Sequence, residues 1–179
     1  IQTVEYAFSQ QGWYMISLPV IPTDSSVAIL FPSALGQMAF TWDPVGMSYM
    51  VATKMAPKKG YWIAIPTAVT HTVSGIPLTS YTEHFATQGW YMIGSVLGST
   101  DFSNPDDNPD GQVLSPAFGW NTGTGTYYQT TTLEEKNGYW AAVFGECDLT
   151  VGGGGAGSAA SKLAKTNWEE FNRVHGEMP

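Results

Sequence analysis

The residues best suited to chemistry in this chain lie in one acidic stretch, Asp101-Phe102-Ser103-Asn104-Pro105-Asp106-Asp107-Asn108-Pro109-Asp110-Gly111. Within it, Asp106-x-Asn108-x-Asp110-Gly111 matches the first half of a calcium loop, where alternate oxygens converge on the ion and glycine permits the sharp turn. Ca2+ is therefore the one cofactor the sequence suggests, held by Asp106, Asn108 and Asp110 with Asp101 as a further oxygen donor. The position that carries a bidentate glutamate in such loops is Ala117 here, which predicts weak affinity. The rival reading is a polar loop of Asx turns and prolines.

Catalysis is poorly provided for. His71, His84 and His175 are far apart in sequence, and no nucleophile elbow, His-Glu-x-x-His pair or phosphate-cradling glycine loop occurs. Glu134-Glu135 reads as a solvated turn before Lys136. The expectation is a protein that is not an enzyme. Cys147 is the single cysteine, so no intrachain disulfide can form, and its setting near Phe144 and Leu149 predicts a buried core thiol.

Aromatic side chains are the other candidates for binding. They make up 13% of the chain, while charged residues make up only 12%, against a usual share of about 25%. Trp13/Tyr14 and Tyr61/Trp62 fall in strand-like stretches, where neighbours point to opposite faces. One member of each pair should face a core and the other should lie nearer the surface. A row of exposed rings would stack on sugars or grip a protein partner. Nucleic acid is excluded as a partner by a net charge of −8 with only seven Lys and Arg in all. No apolar run approaches the roughly 18 residues of a membrane span, so membrane insertion is not expected.

These residues are positioned by a tandem repeat. Gln11-Gly12-Trp13-Tyr14-Met15-Ile16 returns 77 residues later as Gln88-Gly89-Trp90-Tyr91-Met92-Ile93, and Gly60-Tyr61-Trp62 returns 78 residues later as Gly138-Tyr139-Trp140. Residues 1–77 and 78–151 are thus two copies of one module. In the first, Ile1 to Phe8 alternates as a strand, and Trp13 to Val20 reads as a second strand ending at Pro19 and Pro22. Ser25 to Phe40 is the one place for a short helix. Phe40 to Tyr49 predicts a hairpin around Asp43-Pro44-Val45-Gly46, repeated at Phe118 to Tyr127. Tyr61 to Ile65 is apolar on both faces and should be central, and Thr70 to Val73 closes the module at Gly75. The predicted class is all-β: two tandem, structurally equivalent small β-sandwich or barrel-like modules plus a short C-terminal helix.

Gly12-Trp13-Tyr14-Met15-Ile16-Ser17-Leu18-Pro19, Trp42-Asp43-Pro44 with Tyr49, and Gly60-Tyr61-Trp62 together resemble a repeat module of exported bacterial surface proteins. The second copy departs from that pattern at Gly94-Ser95-Val96 and at Asn121. The resemblance implies an accessory β-domain for display, adhesion or assembly, secreted or on the cell surface of a bacterium. It carries no catalytic motif. No signal peptide precedes Ile1, so export is expected to use a segment already removed.

The repeat fails at Gly152. Residues 152–161 have the composition of a flexible linker, and residues 162–179 form a helical tail with the look of an appended peptide. Thr166-Asn167-Trp168-Glu169 is a capping box, and Gly176 is a helix stop. Trp168, Phe171, Val174 and His175 recur on one stripe. A helix this short is marginal alone in water, so the stripe should dock in an apolar groove of the body. The sequence thus predicts a non-catalytic extracellular protein- or peptide-binding tandem β-module, with the tail as a tethered ligand for its own body or that of a neighbouring chain. The alternatives are a carbohydrate-binding or adhesive surface module and a structural spacer in a large surface protein.

Overall fold

The computed structural model describes residues 1–154, 168–175 and 178–179; within 168–175 the described side chains are Phe171, Asn172, Arg173 and His175. Most of the linker, Thr166 of the capping box and the side chains of Trp168 and Val174 lie outside the described residues.

The first module runs β1 (Gln2–Phe8), β2 (Gly12–Ile16), β3 (Val20–Ile21), α1 (Val27–Leu30), a 3-10 turn (Leu35–Gln37), β4 (Ala39–Asp43), β5 (Ser48–Ala52), β6 (Tyr61–Ile65) and β7 (Val69–Pro77). The second runs β8 (Ser80–Phe85), β9 (Gly89–Gly94), β10 (Thr100–Asp101), β11 (Asp106–Asn108), β12 (Ala117–Asn121), β13 (Thr126–Thr130), β14 (Thr132–Leu133), β15 (Gly138–Val143) and β16 (Cys147–Gly152). The tail helix α2 spans Trp168–His175. The described residues are all-β apart from these short helical pieces.

In the first module a three-stranded sheet, β1-β7-β3, faces a four-stranded sheet, β2-β6-β4-β5. The second module repeats this as β11-β16-β8 and β13-β12-β15-β9, with a small β10-β14 ladder added. Each pair of sheets encloses one core, so the modules are sandwiches. β1 shows why: Val4, Tyr6 and Phe8 are buried and the residues between them exposed, the alternation that a half-buried strand requires. Tyr61, Ile63 and Ile65 of β6 join the same core, and Tyr139, Ala141 and Val143 of β15 join its counterpart.

Three details differ from the sequence reading. Trp13 to Val20 is not one strand: β2 stops at Ile16 and the chain crosses to the opposite sheet, where Val20 and Ile21 pair with Pro77 and Ile76. Proline at 19 lacks the N–H a continuing ladder would need. β7 passes through Gly75 to Pro77 instead of ending at Val73, because it pairs with β1 over its first part and with β3 over its last. Finally, both members of the Tyr61/Trp62 and Tyr139/Trp140 pairs are buried. The face expected nearer the surface is covered by the other module.

Candidate functional site: an aromatic seam

The four-stranded sheets of the two modules pack on each other through their outer faces. Met15, Trp62, Trp90, Met92, Trp140 and Ala142 form a third core there, distinct from the cores inside the sandwiches. The alternation of each strand dictates the division: odd-numbered Tyr61 and Ile63 turn inward, and Trp62 turns to the seam.

The contacts recur with the partners exchanged, which is the mark of an isologous, twofold-related interface. Ser17 N donates to Lys136 O at 2.7 Å, and Gly94 N donates to Lys58 O at 2.8 Å. Trp42 meets Trp140 edge-on at 5.8 Å, and Trp62 meets Trp120 edge-on at 5.2 Å. Tyr49 contacts Trp140 at 6.4 Å and Tyr127 contacts Trp62 at 6.3 Å. Ser17 and Ser95, both fully buried, meet near the axis with Oγ atoms 3.0 Å apart, and Ser95 N donates to Ser17 Oγ.

The signature glycines of both modules serve this seam. Gly12 and Gly89 hold φ of +152° and +153°, which side-chain-bearing residues avoid, and each lies against the other module: a Cβ on Gly12 would stand 2.6 Å from Thr122 Cγ2, and one on Gly89 would stand 3.6 Å from Pro44 Cβ. Gly60 and Gly138 face each other: a Cβ on Gly138 would stand 2.8 Å from Ile16 O, and one on Gly60 would stand 2.9 Å from Ile93 O. Thr122 stands where the first module has Pro44, and its hydroxyl donates to Trp13 O at 2.6 Å beside a bond from Trp120 Nε1. A proline in that place has no such donor, so this bond is one-sided.

The symmetry is broken at Trp13 and Trp90. Trp90 is only 3% exposed, with the Phe171 ring of α2 at 5.5 Å. Phe171 is itself buried, packing on Phe144 at 4.8 Å and under the His175 ring at 4.8 Å. Trp13, the repeat equivalent of Trp90, is 46% exposed. It borders an open cavity of about 530 Å³ lined by Trp13, Phe40, Tyr49, Trp62, Trp120 and Tyr127, together with Pro179. Burial pushes the Tyr127 hydroxyl up to about 12, so it stays a donor, and it donates to the Pro179 main-chain oxygen at 2.6 Å.

Of the residues predicted for a partner, Phe171 and His175 lie in the seam; the side chains of Trp168 and Val174 are outside the described residues. The rings that receive Phe171 were not singled out by sequence reasoning as a site. Their signal was the Gly-Trp strand repeated in both copies, whose tryptophan, Trp90 in the second, lies on the opposite face from the core-packed Tyr91 and needs cover of its own.

The predicted calcium residues fall on two short strands and a turn. Asp106 to Asn108 form β11, paired with Thr150, Leu149 and Asp148 of β16. Strand alternation puts Asp106 and Asn108 on one face and Asp107 on the other. Asp107, outside the predicted set, is buried and accepts the backbone N–H groups of Gly111, Gln112 at 2.5 Å and Val113 at 2.8 Å. Burial nevertheless holds its carboxyl above the ordinary range, against those three donors. Asp101 lies on β10 and accepts the Ser103 amide at 2.8 Å, and Asp110 lies in the turn that Asp107 organises. Among the described residues no three His, Cys, Asp or Glu side chains are grouped to hold a metal ion.

Elsewhere, His84 is exposed between Asp148 at 2.7 Å and Glu146 at 3.6 Å. A surface cluster of this kind contributes at most about 1 kcal/mol. Cys147 is buried, and burial with Asp107 and Asp148 nearby pushes its thiol up to about 12, which keeps it protonated and unreactive near neutral pH. No described helix is long and apolar enough to cross a membrane. Comparison with protein-family models, with curated proteins and with solved structures finds no match to this chain.

Proposed function

We propose that the two modules form one non-catalytic, peptide-binding unit of an exported bacterial protein, which captures an amphipathic helix by an aromatic anchor in the seam between them. In this chain α2 is the tethered ligand. The observation that carries the reading is the contrast between two equivalent tryptophans: Trp90 is 3% exposed beneath Phe171, and Trp13 is 46% exposed beside an open cavity. Aromatic anchors seated in desolvated pockets are where binding energy concentrates at protein interfaces. A buried phenylalanine supplies roughly 1.5 to 3 kcal/mol before ordering is subtracted. A short tether raises the effective concentration toward millimolar, so even weak docking is largely satisfied.

Peptide is favoured over carbohydrate by the lining of the cavity. Sugar recognition needs carboxylate or amide side chains to pair with hydroxyls, and the lining consists of indole, phenol and phenyl rings with one proline.

The test uses the full chain. Phe171→Ala should increase acrylamide quenching of tryptophan fluorescence as Trp90 becomes accessible. A synthetic peptide of residues 162–179, added at about millimolar concentration, should reverse the change. If quenching is the same in wild type and Phe171→Ala, the helix is no ligand of the seam and the reading falls.

A further inference from the structure

The open half of the seam differs from the half that holds Phe171 in the residues that line it and in what already touches it. We propose that it is a separate recognition site for an extended, proline-rich peptide in the polyproline II conformation. The proposal rests on the reading of the seam as peptide-binding and names the ligand class of the part that α2 leaves vacant.

The donor and acceptor inventory of the lining leads to proline. Trp13, Phe40, Tyr49, Trp62, Trp120 and Tyr127 offer flat apolar faces and the phenol donors of Tyr49 and Tyr127, without a carboxylate or side-chain amide. An ordinary peptide laid against such a wall buries backbone N–H groups with few acceptors to meet them, and each unmet group is costly. Proline has no N–H to strand. A polyproline II chain also forms no internal hydrogen bonds, so its carbonyls are free to accept from the wall. Aromatic-lined grooves recognise proline-rich segments on these grounds, and the preformed conformation keeps the ordering cost low.

The cavity already holds one proline. Pro179 lines it, and its main-chain oxygen accepts from Tyr127 Oη at 2.6 Å. Tyr49, the repeat counterpart of Tyr127, lines the same cavity and is the donor expected to meet a second carbonyl. Polyproline II rises about 3.1 Å per residue with three residues per turn, so prolines about 9 Å apart present the same face to the rings. A volume of about 530 Å³ is within the usual range for a ligand pocket. The site is continuous with the seam occupied by Phe171, since Trp62 and Trp120 belong to the same packed cluster.

Fluorescein-labelled deca-proline, titrated with the full chain and followed by anisotropy, provides the test, with a Gly/Ser peptide of equal length as control. Deca-proline should bind at micromolar to millimolar protein and the control should not. Trp13→Ala should weaken binding roughly tenfold. Tyr49→Phe, which keeps the ring and removes only the hydroxyl, should weaken it about threefold. Pro179→Ala should tighten it, because an internal competitor is withdrawn. Phe171→Ala, which releases the tail and Pro179 with it, should not weaken binding, so that failure of tail docking and failure of proline recognition give different results. The proposal is overturned if deca-proline fails to bind, if the Gly/Ser peptide binds equally well, or if Trp13→Ala and Tyr49→Phe both bind as wild type does.

Discussion

At the scale of single residues, Asp107 organises the acidic stretch by accepting backbone amides. Its carboxylate gathers the amides of Gly111, Gln112 and Val113 and so fixes the path from β11 toward Val113 and Leu114. Gly111 and Val113 are buried, and a buried donor stripped of its acceptor costs about 1 to 3 kcal/mol. Asp107→Ala should therefore destabilise the protein by roughly 2 to 4 kcal/mol in urea titrations, and Asp107→Asn, which keeps one oxygen, by about half as much. Equal costs for the two substitutions would mean that the amides find other partners.

At the scale of elements, α2 is the informative case. Its eight residues are too few for a stable isolated helix, so its order derives from the burial of Phe171 on Trp90 and Phe144. His175 closes over Phe171 with Nε2 buried and without a hydrogen-bond partner, and burial lowers the imidazole from its ordinary 6.5. The docked helix thus binds fewer protons than the released one. The contribution of the neutral imidazole to docking is fully present above pH 6.5 and diminishes as pH falls through 6.5 toward the lowered docked value. Acrylamide quenching of Trp90 should rise between about pH 7.5 and about pH 5, and His175→Gln should abolish that rise. A profile that is flat in wild type would place the protonation outside the docking equilibrium.

At the scale of the whole molecule, the two sandwiches form a single body because each carries a second apolar face. The signature glycines Gly60 and Gly138 let the backbones approach at the axis. Gly138→Ala should force the modules apart or strain them, at about 1 to 3 kcal/mol, lowering the melting temperature by several degrees for a domain pair of this size. Gly123→Ala, at an exposed turn with only the Asn121 side chain nearby, should change it by less than a degree or two. The repeat, the all-β class, the central place of β6 and the inward burial of Cys147 were determined by the sequence alone, because period-two alternation, turn residues and spacing are local signals. The division of the aromatic pairs was also half legible, since alternation places Tyr61 and Trp62 on opposite faces. Tertiary structure alone decided what covers the second face. Strand alternation separates two faces but cannot say whether water, a ligand or another module meets either one. The same limit applies to Asp107: the acidic pattern names oxygens, and only the pairing of β11 with β16 determines which of them points inward to meet the backbone amides. It applies most to Trp13 and Trp90, identical in sequence context and different in exposure, because the residues that distinguish them come from elsewhere in the chain.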